Sequence, residues 1–197
     1  MRADPAEYDY ASPGTLRGAL QLLHDEPGVW MPIAGGTEVM VQFSAGRLGA
    51  RRLLSVWDVP ELRSIGEDSD AITIGGGCTF TRIREDRGVQ QHFPLLAQAA
   101  SWTGGIANQN RATIAGNIVN ASPAADSPPA LIAYDAELEL VSIRGTRRVP
   151  YSDFHLGYKK TALVADELLL AVRLPKRFSA RVLTSSTRAQ LCRSGHG

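Results

Sequence analysis

The stretch from residue 111 to residue 127 constrains this chain most, because it lies mid-chain and is almost free of large side chains. It reads RATIAGNIVNASPAADS and separates a predicted helix from a predicted pair of strands. Small residues contribute little to a core, but glycine lets a ligand approach the backbone, and free amide groups in a turn bind anions. The polar side chains available to such a ligand are Thr113, Asn117, Ser122 and Asp126.

The same stretch also fits a purely structural interpretation, a tight loop that ends in a helix cap. Ser122 would be the N-cap, Pro123 the first helical residue, and Asp126 would lie in the first turn. A second loop of similar character, PIAGGTEV at residues 32–39, favours the ligand interpretation. It follows a strand-length apolar run and precedes a predicted helix capped by Thr37. The amide groups and the helix dipole there would attract an anion such as a diphosphate.

Together the two loops resemble the flavin-binding medium subunit of the molybdenum hydroxylases, the family of xanthine dehydrogenase and aerobic carbon monoxide dehydrogenase. The resemblance is carried by an AGGTE loop followed by the pattern ATIxGNxxxASPxxD, and it covers about residues 4 to 176. It implies an α+β chain with the FAD-binding fold of the vanillyl-alcohol oxidase and p-cresol methylhydroxylase type. Two α+β subdomains, residues 1–57 and 58–176, would hold FAD between them, and residues 177–197 would form a truncated or disordered tail in place of the family's third subdomain.

The resemblance also implies which residues contact a non-covalently bound FAD. The diphosphate would lie on the first loop, the second loop would meet the cofactor from the other subdomain, and Asp126 would make a polar contact. A leucine six residues before the closing proline of the last strand would lie near the flavin, and here that residue is Leu169. Alternation along residues 167–174 agrees, since it places Leu169 on the face opposite the core. The full predicted set is Pro32, Ile33, Ala34, Gly35, Gly36, Thr37, Glu38, Val39, Thr113, Ile114, Ala115, Gly116, Asn117, Asp126 and Leu169.

One residue departs from the family pattern, which usually has a second glycine where this chain has Ala115. If that position required a positive φ, alanine would cost about 1–2 kcal/mol, and its methyl group would also push against the cofactor. Because alanine is the smallest alternative to glycine, we expect weakened rather than abolished FAD binding. A third glycine cluster, Gly75 to Gly77, follows a predicted strand. In the family a glycine-rich turn at this place leads into a cap and a helix, so we interpret the cluster as structural.

Composition excludes several other functions. The net charge of +1 and the lack of a basic run give no reason to expect nucleic-acid binding. No apolar run is long enough to span a bilayer and the N-terminus lacks a signal-peptide core, which predicts a cytoplasmic protein. Two cysteines are too few for an iron–sulfur cluster, and the histidines lack metal-ligand spacing. The loops match neither the Rossmann nor the P-loop pattern.

Local patterns predict the secondary structure around these loops. Ser12 and Pro13 are expected to cap a first helix that buries Leu16, Ala19, Leu20 and Leu23. Further helices are predicted at residues 37–43, 93–100 and 128–134. Strands are predicted at residues 29–34, 51–56, 71–74, 137–143, 146–149 and 167–174.

The function implied by the resemblance is an electron-transfer subunit of a molybdopterin-dependent dehydrogenase. It would take electrons from the 2Fe-2S clusters of a small subunit, in a complex with a molybdopterin large subunit, and pass them through FAD to NAD or another acceptor. Residues 154–161 resemble the xanthine dehydrogenase branch. No acid–base pair is predicted, since Tyr151, Asp153 and His155 fit a polar loop. The alternatives are a self-sufficient oxidase of the vanillyl-alcohol type, which would need its own substrate domain, and a truncated remnant without flavin.

Overall fold

The computed structural model describes residues 4–178, so nearly all of the predicted tail lies outside the described residues. Within that range helices and strands are mixed, which confirms the predicted α+β class. The helices are α1 Leu16–Asp25, α2 Val39–Ser44, α3 Phe80–Glu85, α4 Arg87–His92, α5 Pro94–Trp102, α6 Ile106–Gln109, α7 Ile114–Val119 and α8 Ser127–Ala133. The strands are β1 Asp9–Ala11, β2 Trp30–Ile33, β3 Arg52–Ser55, β4 Ile65–Glu67, β5 Ala71–Gly75, β6 Glu137–Ser142, β7 Gly145–Pro150, β8 His155–Gly157, β9 Lys160–Thr161 and β10 Leu168–Pro175.

The first part of the chain builds a parallel three-stranded sheet in the order β1-β3-β2. Helix α1 buries Ala19, Leu20 and Leu23 in a small core, as the sequence predicted. The predicted cap at Ser12 is wrong: Gly14, at φ +69°, turns the chain first. Thr15 then caps the helix, its Oγ1 accepting a hydrogen bond from the amide of Gly18.

The second part builds an antiparallel five-stranded sheet in the order β4-β5-β10-β6-β7. Helices α3, α5, α7 and α8 contribute to the larger core over this sheet. The two main sheets come from residues 9–55 and 65–175, and the division into two subdomains at residues 57 and 58 stays a prediction. A two-stranded hairpin, β8–β9, completes the described strands.

Strand β10 differs from the half-buried strand that its sequence predicted. A register shift between Leu169 and Ala171 interrupts the alternation, and both faces of the strand are covered. Leu168 belongs to the small core, whereas Leu169 and Val172 belong to the larger one. The expectation that Leu169 faces away from any core is therefore wrong, because β10 lies between two cores.

Candidate cofactor-binding cleft

A cleft of about 1130 Å³ lies between the two loops that the sequence singled out. Every residue from Pro32 to Val39 lines it, as do Thr113, Ala115, Gly116, Asn117, Asp126 and Leu169. The structure therefore brings the predicted residues together, with the exception of Ile114, whose side chain is fully buried in the larger core. Leu169 is almost fully buried, although it is among the residues that line the cleft.

The first loop connects β2 to α2 and leaves its amide groups available. Among the described residues, the backbone N–H groups of residues 35–39 have no acceptor. Gly36 adopts φ +76°, a conformation that side chains other than glycine rarely take. The predicted cap at Thr37 is wrong, because α2 begins at Val39 and Glu38 occupies its N-cap position without a side-chain hydrogen bond. The loop therefore presents successive free donors to the cleft, an arrangement that suits an anion.

The second segment is the first turn of α7 and not an open loop. Thr113 caps this helix, with its Oγ1 accepting from the Gly116 amide at 3.2 Å. The amides of Ile114 and Ala115 donate to the carbonyl oxygens of Cys78 and Gly76, each at 3.0 Å. Because these two amides already donate to protein carbonyl oxygens, they are not available to bind an anion. This side of the cleft therefore contributes side chains, most of them small.

The segment after α7 is fastened to it by one side-chain contact. Ser127 Oγ donates to Asn117 Oδ1 at 2.6 Å, which holds the start of α8 against α7. Helix α8 begins at Ser127 with Asp126 in the N-cap position, so the interpretation of Ser122 as a helix cap is wrong. The Asp126 side chain makes no capping bond and lies exposed at the cleft.

The two sides of the cleft meet at Gly35 and Arg111. A Cβ atom on Gly35 would lie 1.6 Å from the carbonyl oxygen of Arg111, so only glycine fits there. The Arg111 side chain also returns to this contact, with its Nε donating to the Gly35 carbonyl oxygen at 3.4 Å. The first loop is therefore packed directly on the backbone that leads into α7.

Comparison with known proteins agrees with this geometry. A sequence profile described as "FAD binding domain in molybdopterin dehydrogenase" matches residues 6–177. The chain belongs to this family. The FAD-binding domain thus has the α+β fold, the family and the cofactor class that its two loops predicted.

Curated relatives and solved structures place the domain within the family. It is 40% identical to the xanthine dehydrogenase FAD-binding subunit of Escherichia coli O157:H7, over 85% of this chain and 59% of the relative. It is 30% identical to the carbon monoxide dehydrogenase medium chain of Hydrogenophaga pseudoflava, over 87% of this chain and 60% of that protein. A carbon monoxide dehydrogenase structure from Oligotropha carboxidovorans superposes with a TM-score of 0.83 at 25% identity, covering 89% and 60% of the two chains. The FAD-binding domain spans about three fifths of the length of these relatives.

The residue that departs from the family pattern carries no backbone strain. Among the described residues, only Ala121, Asp135 and Lys159 combine a side chain with a positive φ, so the cost considered for Ala115 does not arise. Ala115 is the second residue of α7, where alanine is favourable.

Two glycines that sequence analysis interpreted as purely structural also line the cleft of the FAD-binding domain. A Cβ on Gly76 would lie 2.3 Å from the Leu169 carbonyl oxygen, and one on Gly77 would lie 3.1 Å from Leu62. Both residues therefore pack closely and also form part of the cleft wall. The triple glycine was the signal that could have indicated this second role.

Glu167 is a cleft residue that no sequence motif indicated. It is 6% exposed, and Arg147 binds it through both Nε and Nη2, each at 2.7 Å. The hydrogen bonds from Arg147 are the main reason that the pKa of Glu167 is lowered. This carboxylate is therefore charged and occupied by a partner, so we assign it a structural role.

Residues 4–178 contain no group of three or more His, Cys, Asp or Glu side chains placed to hold a metal ion. Tyr151, expected in a polar loop, is instead 3% exposed, and burial raises its pKa to about 12. In the same residue range, no helix has the length and apolar character required to cross a membrane.

Proposed function

We propose that this chain is the FAD-binding electron-transfer part of a molybdopterin-dependent dehydrogenase of the xanthine dehydrogenase type. The observation that carries the proposal is the row of amide groups at residues 35–39, which line a large cleft and have no acceptor among the described residues. A diphosphate needs such donors. The space that a Cβ on Gly35 would need is filled by the carbonyl oxygen of Arg111, so the first loop packs directly on the backbone before α7.

Each part of the cleft has a role in this proposal. The first loop binds the diphosphate through its backbone, and the start of α7 limits the cleft on the other side with Thr113, Ala115 and Asn117. Asp126, exposed and without a capping bond, provides a polar contact to the cofactor. The chemistry that FAD supplies when bound is electron transfer, whereas the protein fixes its position and its electrostatic surroundings.

The proposed partners are a small subunit with 2Fe-2S clusters and a large subunit with molybdopterin, with NAD or another electron acceptor. Two relatives support this assignment by their names, an FAD-binding subunit of xanthine dehydrogenase and a medium chain of carbon monoxide dehydrogenase. The cytoplasmic location expected from the sequence is part of the same proposal.

The first experiment is an absorption spectrum of the purified chain, before and after incubation with excess FAD and removal of the unbound cofactor. We expect retained flavin bands. The variant Gly35→Ala should lose them, because its Cβ would clash with the Arg111 carbonyl oxygen. Gly66→Ala is the matched control, since no atom lies within 4 Å of its Cβ. A folded wild-type protein that retains no flavin would contradict the proposal and favour the remnant without flavin.

The partner assignment needs a separate test. The chain is co-expressed with a candidate cysteine-rich small subunit and a candidate molybdopterin subunit, and the complex is isolated through a tag on this chain. We expect the iron–sulfur protein to co-purify in fixed stoichiometry. A flavin-loaded chain that oxidises vanillyl alcohol or a similar phenol without partners would instead support the self-sufficient oxidase.

A further inference from the structure

We propose that Arg111, held on the ring of Trp57, is a positioning residue that fixes the diphosphate-binding loop against α7 before the cofactor arrives. The inference rests on the proposed FAD site. It concerns a residue outside the predicted set and outside the cleft lining, which acts through the Gly35 backbone and does not touch the ligand itself.

The contacts of Arg111 link three parts of the chain. Its guanidinium carbon lies 4.0 Å from the centroid of the Trp57 ring, a close cation–π distance. Its Nε donates to the Gly35 carbonyl oxygen at 3.4 Å, and its own carbonyl oxygen occupies the space that a Cβ on Gly35 would need. One residue therefore contacts the first loop through both its side chain and its backbone.

Trp57 follows the end of β3, in a segment that is hydrogen-bonded to the end of β2. The amide of the preceding residue, Val56, donates to the carbonyl oxygen of Ile33 at 2.9 Å, which ties this segment to the end of β2. Ile33 is the last residue of β2, immediately before the loop. The contact between the Arg111 guanidinium and Trp57 therefore connects the backbone before α7 to β2, the strand after which the diphosphate-binding loop begins.

This anchoring matters because the loop lacks internal hydrogen bonds. The amides of residues 35–39 have no acceptor among the described residues, so the loop depends on outside contacts for its shape. A ligand that must order the loop binds less tightly than one that meets an ordered loop. A cation–π contact of ordinary strength corresponds to roughly three- to tenfold in affinity, and this is the loss expected when Arg111 is released from Trp57.

The test measures FAD and ADP affinity by titration of the full-length chain. The variants are Arg111→Met, Trp57→Leu and the double variant, with melting temperatures of the cofactor-free proteins measured in parallel. We expect both single variants to weaken both ligands to a similar extent, because both ligands carry the diphosphate. The double variant should be no weaker than either single variant. Trp57→Phe, which keeps an aromatic face, should retain most of the affinity.

Arg63→Met provides the matched control. Arg63 also lies over Trp57, at 5.2 Å, but no contact joins it to either loop within the described residues. Its removal should leave FAD affinity unchanged. Unchanged affinity in Trp57→Leu, or additive losses in the double variant, would overturn the inference while leaving the FAD site intact. A folded wild-type chain that binds neither FAD nor ADP would instead overturn the proposed function, and this inference with it.

Discussion

The amide of Ala115 donates to the carbonyl oxygen of Gly76 at 3.0 Å, and the methyl group of Ala115 faces the same glycine. A Cβ on Gly76 would lie 3.0 Å from that methyl carbon and 2.3 Å from the carbonyl oxygen of Leu169. Glycine at position 76 therefore provides the space in which the α7 turn, with its alanine, packs beside β10. The glycine turn and the start of α7 therefore pack as one structural unit.

Gly76→Ala should destabilise the protein. The added methyl group would overlap the backbone of β10, and overpacking of this kind typically costs about 1–3 kcal/mol. The measurement is the free energy of unfolding from urea denaturation. Gly66→Ala, with open space around its Cβ, is the control and should change stability far less. Equal effects of the two substitutions would contradict the packing role of Gly76.

Ala115→Gly should have opposite effects on stability and on FAD binding. Glycine near the start of α7 should lower the free energy of unfolding by about 0.5–1 kcal/mol, through its backbone entropy. Removing the methyl group from the cleft wall should at the same time tighten FAD binding. Both quantities are measured on the same preparation, by urea denaturation and by FAD titration. Unchanged FAD affinity would mean that the methyl group does not limit the cofactor.

Arg147→Met should be more destabilising than the same change at the neighbouring Arg148. Arg147 makes two hydrogen bonds to Glu167, which is 6% exposed and would be left without them. We expect the free energy of unfolding to fall by about 1–2 kcal/mol, a value that already allows for the partial exposure of Arg147 to solvent. Arg148 pairs with Glu139 at the surface and should change stability by less than about 0.5 kcal/mol.

The pairing of Arg147 with Glu167 also predicts that the stability of the protein depends on pH. Because the pKa of Glu167 is lowered in the folded protein, its stabilising contribution is present above the ordinary pKa of 4.5 and is lost as the pH falls through the folded-state value. Unfolding measured between neutral and acidic pH should show a shallower acid limb in Arg147→Met than in the wild-type protein. If the free energy of unfolding fell equally steeply with decreasing pH in the two proteins, the Arg147–Glu167 pair would not be the source of this pH dependence.

Tyr151→Phe should stabilise the protein. Among the described residues, the Tyr151 hydroxyl is the single buried side-chain N or O atom without a hydrogen-bond partner. Burying an unpaired hydroxyl group costs about 1–3 kcal/mol, so its removal should raise the free energy of unfolding at neutral pH. A decrease in stability would show that the hydroxyl has a partner in solution.

Alkaline unfolding provides an independent check on Tyr151. Burial raises its pKa from 10.0 to about 12, so the folded protein holds this proton more tightly than the unfolded chain does. The stability that comes from this tighter proton binding is fully present below pH 10 and is lost as the pH rises towards 12. Stability should therefore fall less steeply in Tyr151→Phe than in the wild-type protein across this range.

Several local features were predictable because neighbouring residues determine them. The buried face of α1 followed from helical spacing, and most strands from apolar runs between glycine or proline breaks. Helix starts were less predictable, as Thr15 and Ser127 show. Several Ser, Thr and Asp side chains compete for each start, and the backbone turn made by Gly14 determines which one caps α1.

The sequence by itself determined the family and the two glycine-containing loops that line the cleft, because their small residues stand at consecutive positions of the chain. Only the tertiary structure decided that Leu169 faces a second core, that Gly76 packs against Ala115, and that Arg147 holds Glu167. These contacts join residues far apart in sequence, and their distances depend on a strand register shift and on how two sheets meet. No local pattern of residues encodes such distances, so the shape of the cleft emerges only when the whole chain has folded.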